Sequence, residues 1–256
     1  MSRSHWVPLV TILRKEVNRF MRIWVQTLVP PVITMTLYFV IFGSLIGSRI
    51  GEMGGFDYIQ FIAPGLIMMS VITNSYSNVC SSFFSAKFQR NVEELLVSPV
   101  STAVIILGFV GGGMLRAMLI AVLVTGVSMI FTNLNINDFL VIMSTVMLTS
   151  SLFAVAGLIN AVFAKTFDDI SIVPTFILTP LTYLGGVFYS LKALPEFWQL
   201  VSQANPIVYM INGFRYGFLG VADFSLTTSY SVLIAFNLAL FGIAYWLLSR
   251  GVGTRN

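Results

Sequence analysis

His5 and Cys80 are the sole histidine and the sole cysteine of this chain, and neither has a partner for chemistry. A metal site needs several His, Cys or carboxylate ligands converging, and a thiol nucleophile needs a base beside it. Cys80 lies beside an apolar run, where a small packing residue is the plainer reading and no intramolecular disulfide can form. Gly111, Gly112 and Gly113 are followed by Met-Leu-Arg inside another apolar run, so the lysine and hydroxyl of a phosphate-cradling loop are missing. No nucleophile–base pair or ligand cluster suited to a lipid-modifying enzyme appears either. The sequence therefore points to recognition and movement rather than bond breaking.

Two polar segments and one charge carry what information there is. The stretch from Ala86 to Thr102 reads AKFQRNVEELLVSPVST. As a helix it places Phe88, Val92, Leu95 and Leu96 on one face, with Gln89, Arg90, Glu93 and Glu94 elsewhere. Pro99 stops it and Ser101 can cap the next helix. A helix lying on lipid is one reading, but two adjacent acids would then sit beside anionic headgroups. Docking of this helix in a groove of a cytoplasmic protein fits better.

Residues 191–228 hold two segments too short to span a membrane and too apolar for an open loop. One begins at Pro195. The other begins with an Asn205 cap and Pro206, a good helix start, and runs to Gly217. Both are expected to be re-entrant or interfacial, with Phe197, Trp198, Tyr209, Phe214 and Tyr216 at headgroup level. An aromatic belt leaves Arg215 unexplained.

Arg116 falls inside an apolar run, where a charge costs roughly 2.5–3.5 kcal/mol on insertion scales. Its available partners are Asn74, Asn78, Asn160 and Asn237, or Asp168 and Asp169 if it sits low. Two readings stand: a contact for an anionic headgroup or sugar-phosphate in a path, and an intramolecular hydrogen-bonded strut. Asp168 and Asp169 themselves suit capping of the helix that follows them.

The elements that must position these groups are membrane spans. Apolar residues make up 57% of the 256 and charged ones 9%, more apolar surface than a water-exposed fold can cover. The runs are Trp24–Ile46, Ile59–Phe84, Ala103–Phe131, Phe139–Ala164, Ile170–Ser190 and Tyr230–Ser249. A span needs about 20 residues, since about 30 Å of hydrocarbon is crossed at roughly 1.5 Å per residue. Six spans put both termini on one side. Arg3, Arg14, Lys15, Arg19, Arg22, Lys87, Arg90, Lys165, Arg250 and Arg255 lie on that side, against Arg49, Lys192 and Arg215 opposite. Both termini are thus expected in the cytoplasm. The net charge of +4 follows from that topology and is no sign of nucleic-acid binding. The N-terminus is not read as a cleavable signal, because its basic stretch leads into a full-length span.

Before the first span, Trp6, Val10, Leu13, Val17 and Phe20 form an apolar stripe, with Arg14, Lys15, Asn18, Arg19 and Arg22 around it. Such a helix lies in the cytoplasmic interface with its cations reaching anionic headgroups. It is either a topogenic anchor or a lever from a cytoplasmic partner to the first span. Within the spans, Gly108, Gly112, Gly113, Ala117, Ala121 and Thr125, then Ser150–Ala154, Gly157–Ala161 and Ala235–Ala239, are small residues spaced for close helix packing. Pro30, Pro31, Pro64, Pro174 and Pro180 permit kinks.

Glu93-Glu94-Leu95-Leu96-Val97-Ser98-Pro99-Val100, followed by Asn205-Pro206 and Gly213-Phe214-Arg215, in a six-span chain of this length, resembles the membrane subunit of type-2 ABC exporters. The likeness covers essentially the whole chain and is nearest to bacterial inner-membrane permeases of the YadH-like and nodulation-factor or drug-export groups. It implies an all-α membrane fold in a single permease domain, residues 1–256: an amphipathic connecting helix (1–22), spans one to five (24–190), an outer re-entrant segment (191–228), and the sixth span with its tail (229–256). It also implies a homodimer bound to a separate cytoplasmic P-loop ATPase, which would hold ATP and Mg²⁺, leaving this chain with no cofactor. By position, Gln89 to Pro99 would be the coupling helix, with Glu93 and Glu94 its main polar contacts. Asn205, Pro206, Gly213, Phe214 and Arg215 would belong to the outer gate. The apolar walls suit an amphipathic or lipid-linked substrate, and outward direction rests on the resemblance alone. A gradient-driven carrier would want acids or histidine inside spans, and none is clearly there. A non-transporting membrane scaffold would share the seams and amphipathic helices.

Overall fold

The computed structural model describes residues 3–253, so Arg255 of the basic count lies outside them. The chain is mostly helical. The first helix, α1, runs Arg3–Arg22. After a break at Ile23 come α2, Trp24–Ile50, then α3, Tyr58–Phe88, the short α4, Asn91–Val97, and α5, Thr102–Phe131. Next are α6, Phe139–Phe163, and α7, residues 169–183. The chain closes with α8, Glu196–Gln203, α9, Pro206–Leu219, and α10, Leu226–Ser249. Five of these, α2, α3, α5, α6 and α10, are long and apolar enough to cross a membrane.

Three departures from expectation have local causes. The expected run Ile170–Ser190 is helical only as far as Tyr183, because Gly185 and Gly186 turn the chain, Gly186 at a left-handed φ of 78°. Both α2 and α7 carry stretches wound to π geometry, Phe39–Ile46 and Pro174–Leu178. The second opens on a proline that cannot donate to the helix ladder. Between α2 and α3 lies a two-stranded hairpin with Glu52 opposite Asp57 and Met53 opposite Phe56. Gly54 and Gly55 form its turn, both at positive φ, a glycine-pair signal that the sequence reading passed over.

The core is built round α3. Its Ile62, Leu66, Ile67, Met68, Val71 and Ile72 are fully enclosed, and it also buries Ser70, Asn74, Ser75, Asn78 and Ser82. Two of the serines satisfy themselves along the helix, Ser70 donating to the Leu66 carbonyl and Ser75 to that of Val71. Small residues let the neighbours close in. Gly157 of α6 abuts the Tyr76 carbonyl of α3, leaving no room for a Cβ, and Gly113 of α5 faces Val79. The glycines Gly108, Gly111 and Gly112 of α5 seat Ile12, Leu13 and Glu16 of α1 rather than another span.

The stripe expected on α1 is therefore rotated. Ile12, Glu16 and Phe20 are buried, while Trp6 is 59% exposed. The glycine groove of α5 decides which residues turn inward, and it accepts a carboxylate in the middle of the stripe.

Because a Cβ at position 157 meets backbone rather than a movable side chain, Gly157→Ala should lower stability by about 1–3 kcal/mol. Gly126→Ala, with open space around it, should be close to neutral. Thermal unfolding of the two variants in detergent separates them.

Candidate functional site

The polar groups of the molecule cluster at the two ends of the bundle and round Arg116, midway along α5. At one end, called the basic end, Lys15, Arg19, Arg22 and Lys87 gather round the α3–α4 junction. Here Lys87 donates to the carbonyls of Val162 (2.7 Å) and Ala164 (2.8 Å) and so caps the last turn of α6.

The segment expected as one helix from Gln89 to Pro99 is instead a turn and a short helix. Gln89 and Arg90 form the turn, and Arg90 takes a left-handed φ of 63° that reverses the chain before α4 begins at Asn91. Val92 is buried, and Leu95 and Leu96 pack half-buried on the core. Phe88 does not share their face. It ends α3 and meets the rings of Phe84 and Phe167. Gln89, Arg90, Glu93, Glu94 and Pro99 all face outward, with Val97 88% exposed beside them. Ser101 caps α5, accepting from the Val104 amide as expected.

Arg116 finds its partners on α3 and α2. It donates to Asn74 Oδ1 and the Thr27 carbonyl, both at 3.0 Å, and to Asn78 Oδ1 at 3.3 Å. Asn160 and Asn237 do not take part; they donate to Ile170 and Leu148 carbonyls instead. Nor does Asp169, which forms a reciprocal cap with Thr166. Backbone amides of Lys165 and Thr166 bonded to its carboxylate hold the Asp169 carboxyl below the usual aspartate range.

The group that sequence reasoning missed is Glu16. It is fully buried on α1, accepts a hydrogen bond from Ser82 Oγ at 2.6 Å, and pairs with Arg19 at 3.4 Å. Arg19 in turn donates to Asn78 at both its backbone and side-chain oxygens, 2.9 Å each. Asn78 therefore joins two arginines, and the network ties α1, α2, α3 and α5 together. The available signal was positional: Glu16 sits four residues after Ile12 and four before Phe20.

At the far end, α9 is anchored rather than floating in an aromatic belt. Asn205 caps it, accepting from the Ile207 amide, and donates to the Leu181 carbonyl at 2.6 Å. Pro206 fills the first helical position, and Gly213 lets α9 approach Thr145 of α6. Phe214, expected at headgroup level, is buried against Phe218. Arg215 is buried too. It donates to the Gly186 carbonyl at 2.7 Å, lies 3.8 Å from Asp223, and stands 4.0 Å over the Phe61 ring. Asn212, unremarked in the sequence, accepts from the Asp223 and Phe224 amides and fixes the loop that brings Asp223 there.

A bundle with exposed acids on a short helix at one end and a pinned apolar helix at the other matches a known family pattern over residues 8–219, that of the ABC-2 type transporter. The chain belongs to the ABC-2 type transporter family. It is 63% identical, over all 256 residues and the full length of both chains, to the inner membrane transport permease YadH of Escherichia coli strain K12. It is also 25% identical over 188 residues to nodulation protein J of Rhizobium meliloti strain 1021, covering 72% of this chain and 71% of that one. A nodulation protein J from Rhizobium leguminosarum bv. viciae matches at 24% over 218 residues, 84% and 83% of the two chains. Within this ABC-2 chain, the buried network is the feature most sensitive to a single change.

Glu16 is fully enclosed but Arg19 is 28% exposed and keeps its bonds to Asn78, so loss of the carboxylate leaves mainly Ser82 unpartnered, at a cost of roughly 1–3 kcal/mol. Glu16→Ala should therefore destabilise the protein by about that much, and Glu16→Gln by less, since an amide oxygen still accepts from Ser82. Thermal unfolding in detergent should rank them in that order.

Proposed function

We propose that this chain is the membrane-spanning permease of an ATP-driven exporter, working as a homodimer above two copies of a separate P-loop ATPase. The observation that carries this reading is α4: an acid-tipped helix whose inner side is held by Val92, Leu95 and Leu96 while Glu93, Glu94 and Val97 protrude. A loop that merely crossed the surface would have no use for that arrangement, whereas a groove on a partner protein would. Gln89 and Arg90 flank it on a turn, and Pro99 closes it, so all seven coupling residues belong to one protruding unit.

The chain forms a single permease domain over residues 1–256, with six crossings and a re-entrant outer segment. What supports the sixth crossing is the path of α7. It starts where Asn160 donates to Ile170 and ends where Asn205 donates to Leu181, at opposite ends of the bundle. The basic end, rich in Lys and Arg, faces the cytoplasm with both termini. The membrane is the bacterial inner membrane, by analogy with the permease of Escherichia coli. ATP and Mg²⁺ belong to the ATPase, and this chain needs no cofactor. Membrane lipids surround it, and nucleic acid is not a partner.

Closure of the ATPase dimer on ATP would push α4. The packing of Val92, Leu95 and Leu96 on the core and the turn at Arg90 would pass that push to α3, to Asn74, Asn78 and Ser82, and through them to α1, α2 and α5. Arg116 acts here as a strut rather than a substrate contact, since its hydrogen bonds go to three oxygens of the protein. At the outer face, Asn205, Pro206, Gly213, Phe214 and Arg215 form a gate hinged on Gly186. A gradient-driven carrier would need an acid open to a path; Glu16, the one buried carboxylate among the described residues, is held by Ser82 and Arg19.

Glu93→Lys with Glu94→Lys should abolish co-purification of a P-loop ATPase with this chain while membrane insertion and unfolding temperature stay unchanged. A doubly reversed chain that still retains the ATPase would remove α4 as the docking element.

A further inference from the structure

A cavity of about 540 Å³ opens at the basic end between α1 and the α3–α4 turn. That volume lies in the range of small-ligand sites, roughly 300–1,000 Å³. Three cations line it, Lys15, Arg19 and Arg22, together with polar groups including Asn18, Ser85 and Asn91, and no carboxylate does. Glu16, fully buried against Ser82, pairs with Arg19 and with neither Lys15 nor Arg22. Arg19 is also fixed through Asn78, so one cation is held in place, while Lys15 and Arg22 are exposed and form no salt bridge among the described residues, Glu94 lying in the neighbouring cavity that Lys15 also lines. Hydrogen-bond donors and a net excess of positive charge converging on one concavity recognise a phosphate oxyanion.

We propose that this cavity binds the phosphate-bearing headgroup of an anionic phospholipid, one per chain. The choice of a lipid over a free phosphate rests on what adjoins Arg22. Met21, Ile23, Trp24 and Val25 are each at least 40% exposed, an apolar strip leading from the cavity rim onto α2 where acyl chains can lie. The site touches both α1 and Asn91 of α4, so an occupied headgroup would brace the helix on which docking is proposed. This inference rests on reading the basic end as a membrane interface, and its test requires neither the ATPase nor transport.

The test is a binding titration of the full chain in uncharged detergent with short-chain phosphatidylglycerol, short-chain phosphatidylcholine and inorganic phosphate as separate arms. Saturable phosphatidylglycerol binding at one per chain is expected, with phosphatidylcholine and inorganic phosphate each at least tenfold weaker. The double variant Lys15→Gln, Arg22→Gln should weaken phosphatidylglycerol at least tenfold. The variant Arg14→Gln, Lys165→Gln removes equal charge from exposed positions outside the cavity and should change affinity less than twofold. Equal loss in both variants, or no saturation in the parent chain, would overturn the site. Inorganic phosphate binding as tightly as the lipid would overturn the lipid in favour of a free phosphate.

Discussion

A carboxylate taken out of water must be paid for with partners, and Glu16 is such a carboxylate placed in the middle of an apolar bundle end. Its burial commits Ser82 and Arg19 to it, Arg19 commits Asn78, and Asn78 shares its oxygen with Arg116. Arg116 completes the chain of obligations at Asn74 and the Thr27 carbonyl. In a low-dielectric interior every such bond is stronger and every unpaired group more costly, so the four helices concerned cannot drift independently. The glycines of α5 are the steric side of the same constraint, since only a groove without side chains lets the α1 backbone come near enough for Glu16 to reach α3.

The far end obeys the same rule with different groups. Arg215 is enclosed by Phe61, the Gly186 carbonyl and Asp223, and Asn212 ties down the loop that supplies Asp223. Between the ends, apolar contact and small-residue seams are joined by single polar bonds such as Asn237 to the Leu148 carbonyl. On α2 and α7, Leu37, Ile41, Phe176 and Ile177 are exposed apolar side chains.

The helical spans were legible because hydrocarbon length imposes a run of apolar residues, and such a run is visible without neighbours. Caps at Ser101 and Asn205 were legible for a similar reason, each depending on bonds to amides two or three residues away. Misreadings arose where a distant element decided. Phe88 was placed with Leu95 and Leu96, yet the left-handed turn at Arg90 separates them. Phe214 looked like a headgroup aromatic but is covered by its bundle neighbours. The stripe on α1 was drawn from apolar residues alone and so skipped Glu16, whose partner Ser82 lies 66 residues away in α3.

By itself, then, the sequence determined the class of the molecule: an apolar chain divided into spans by local composition, bearing an acid-rich short helix and a later helix started by Asn205 and Pro206. These follow from interactions within a few residues along the chain. The tertiary structure alone decided which face of α1 turns inward, which amides answer Arg116, why Arg215 is tolerated in an apolar stretch, and where cations are left without acids. Each of those is settled by the low dielectric of the interior, which forces charges to find partners wherever the fold brings them, however far apart they stand in sequence.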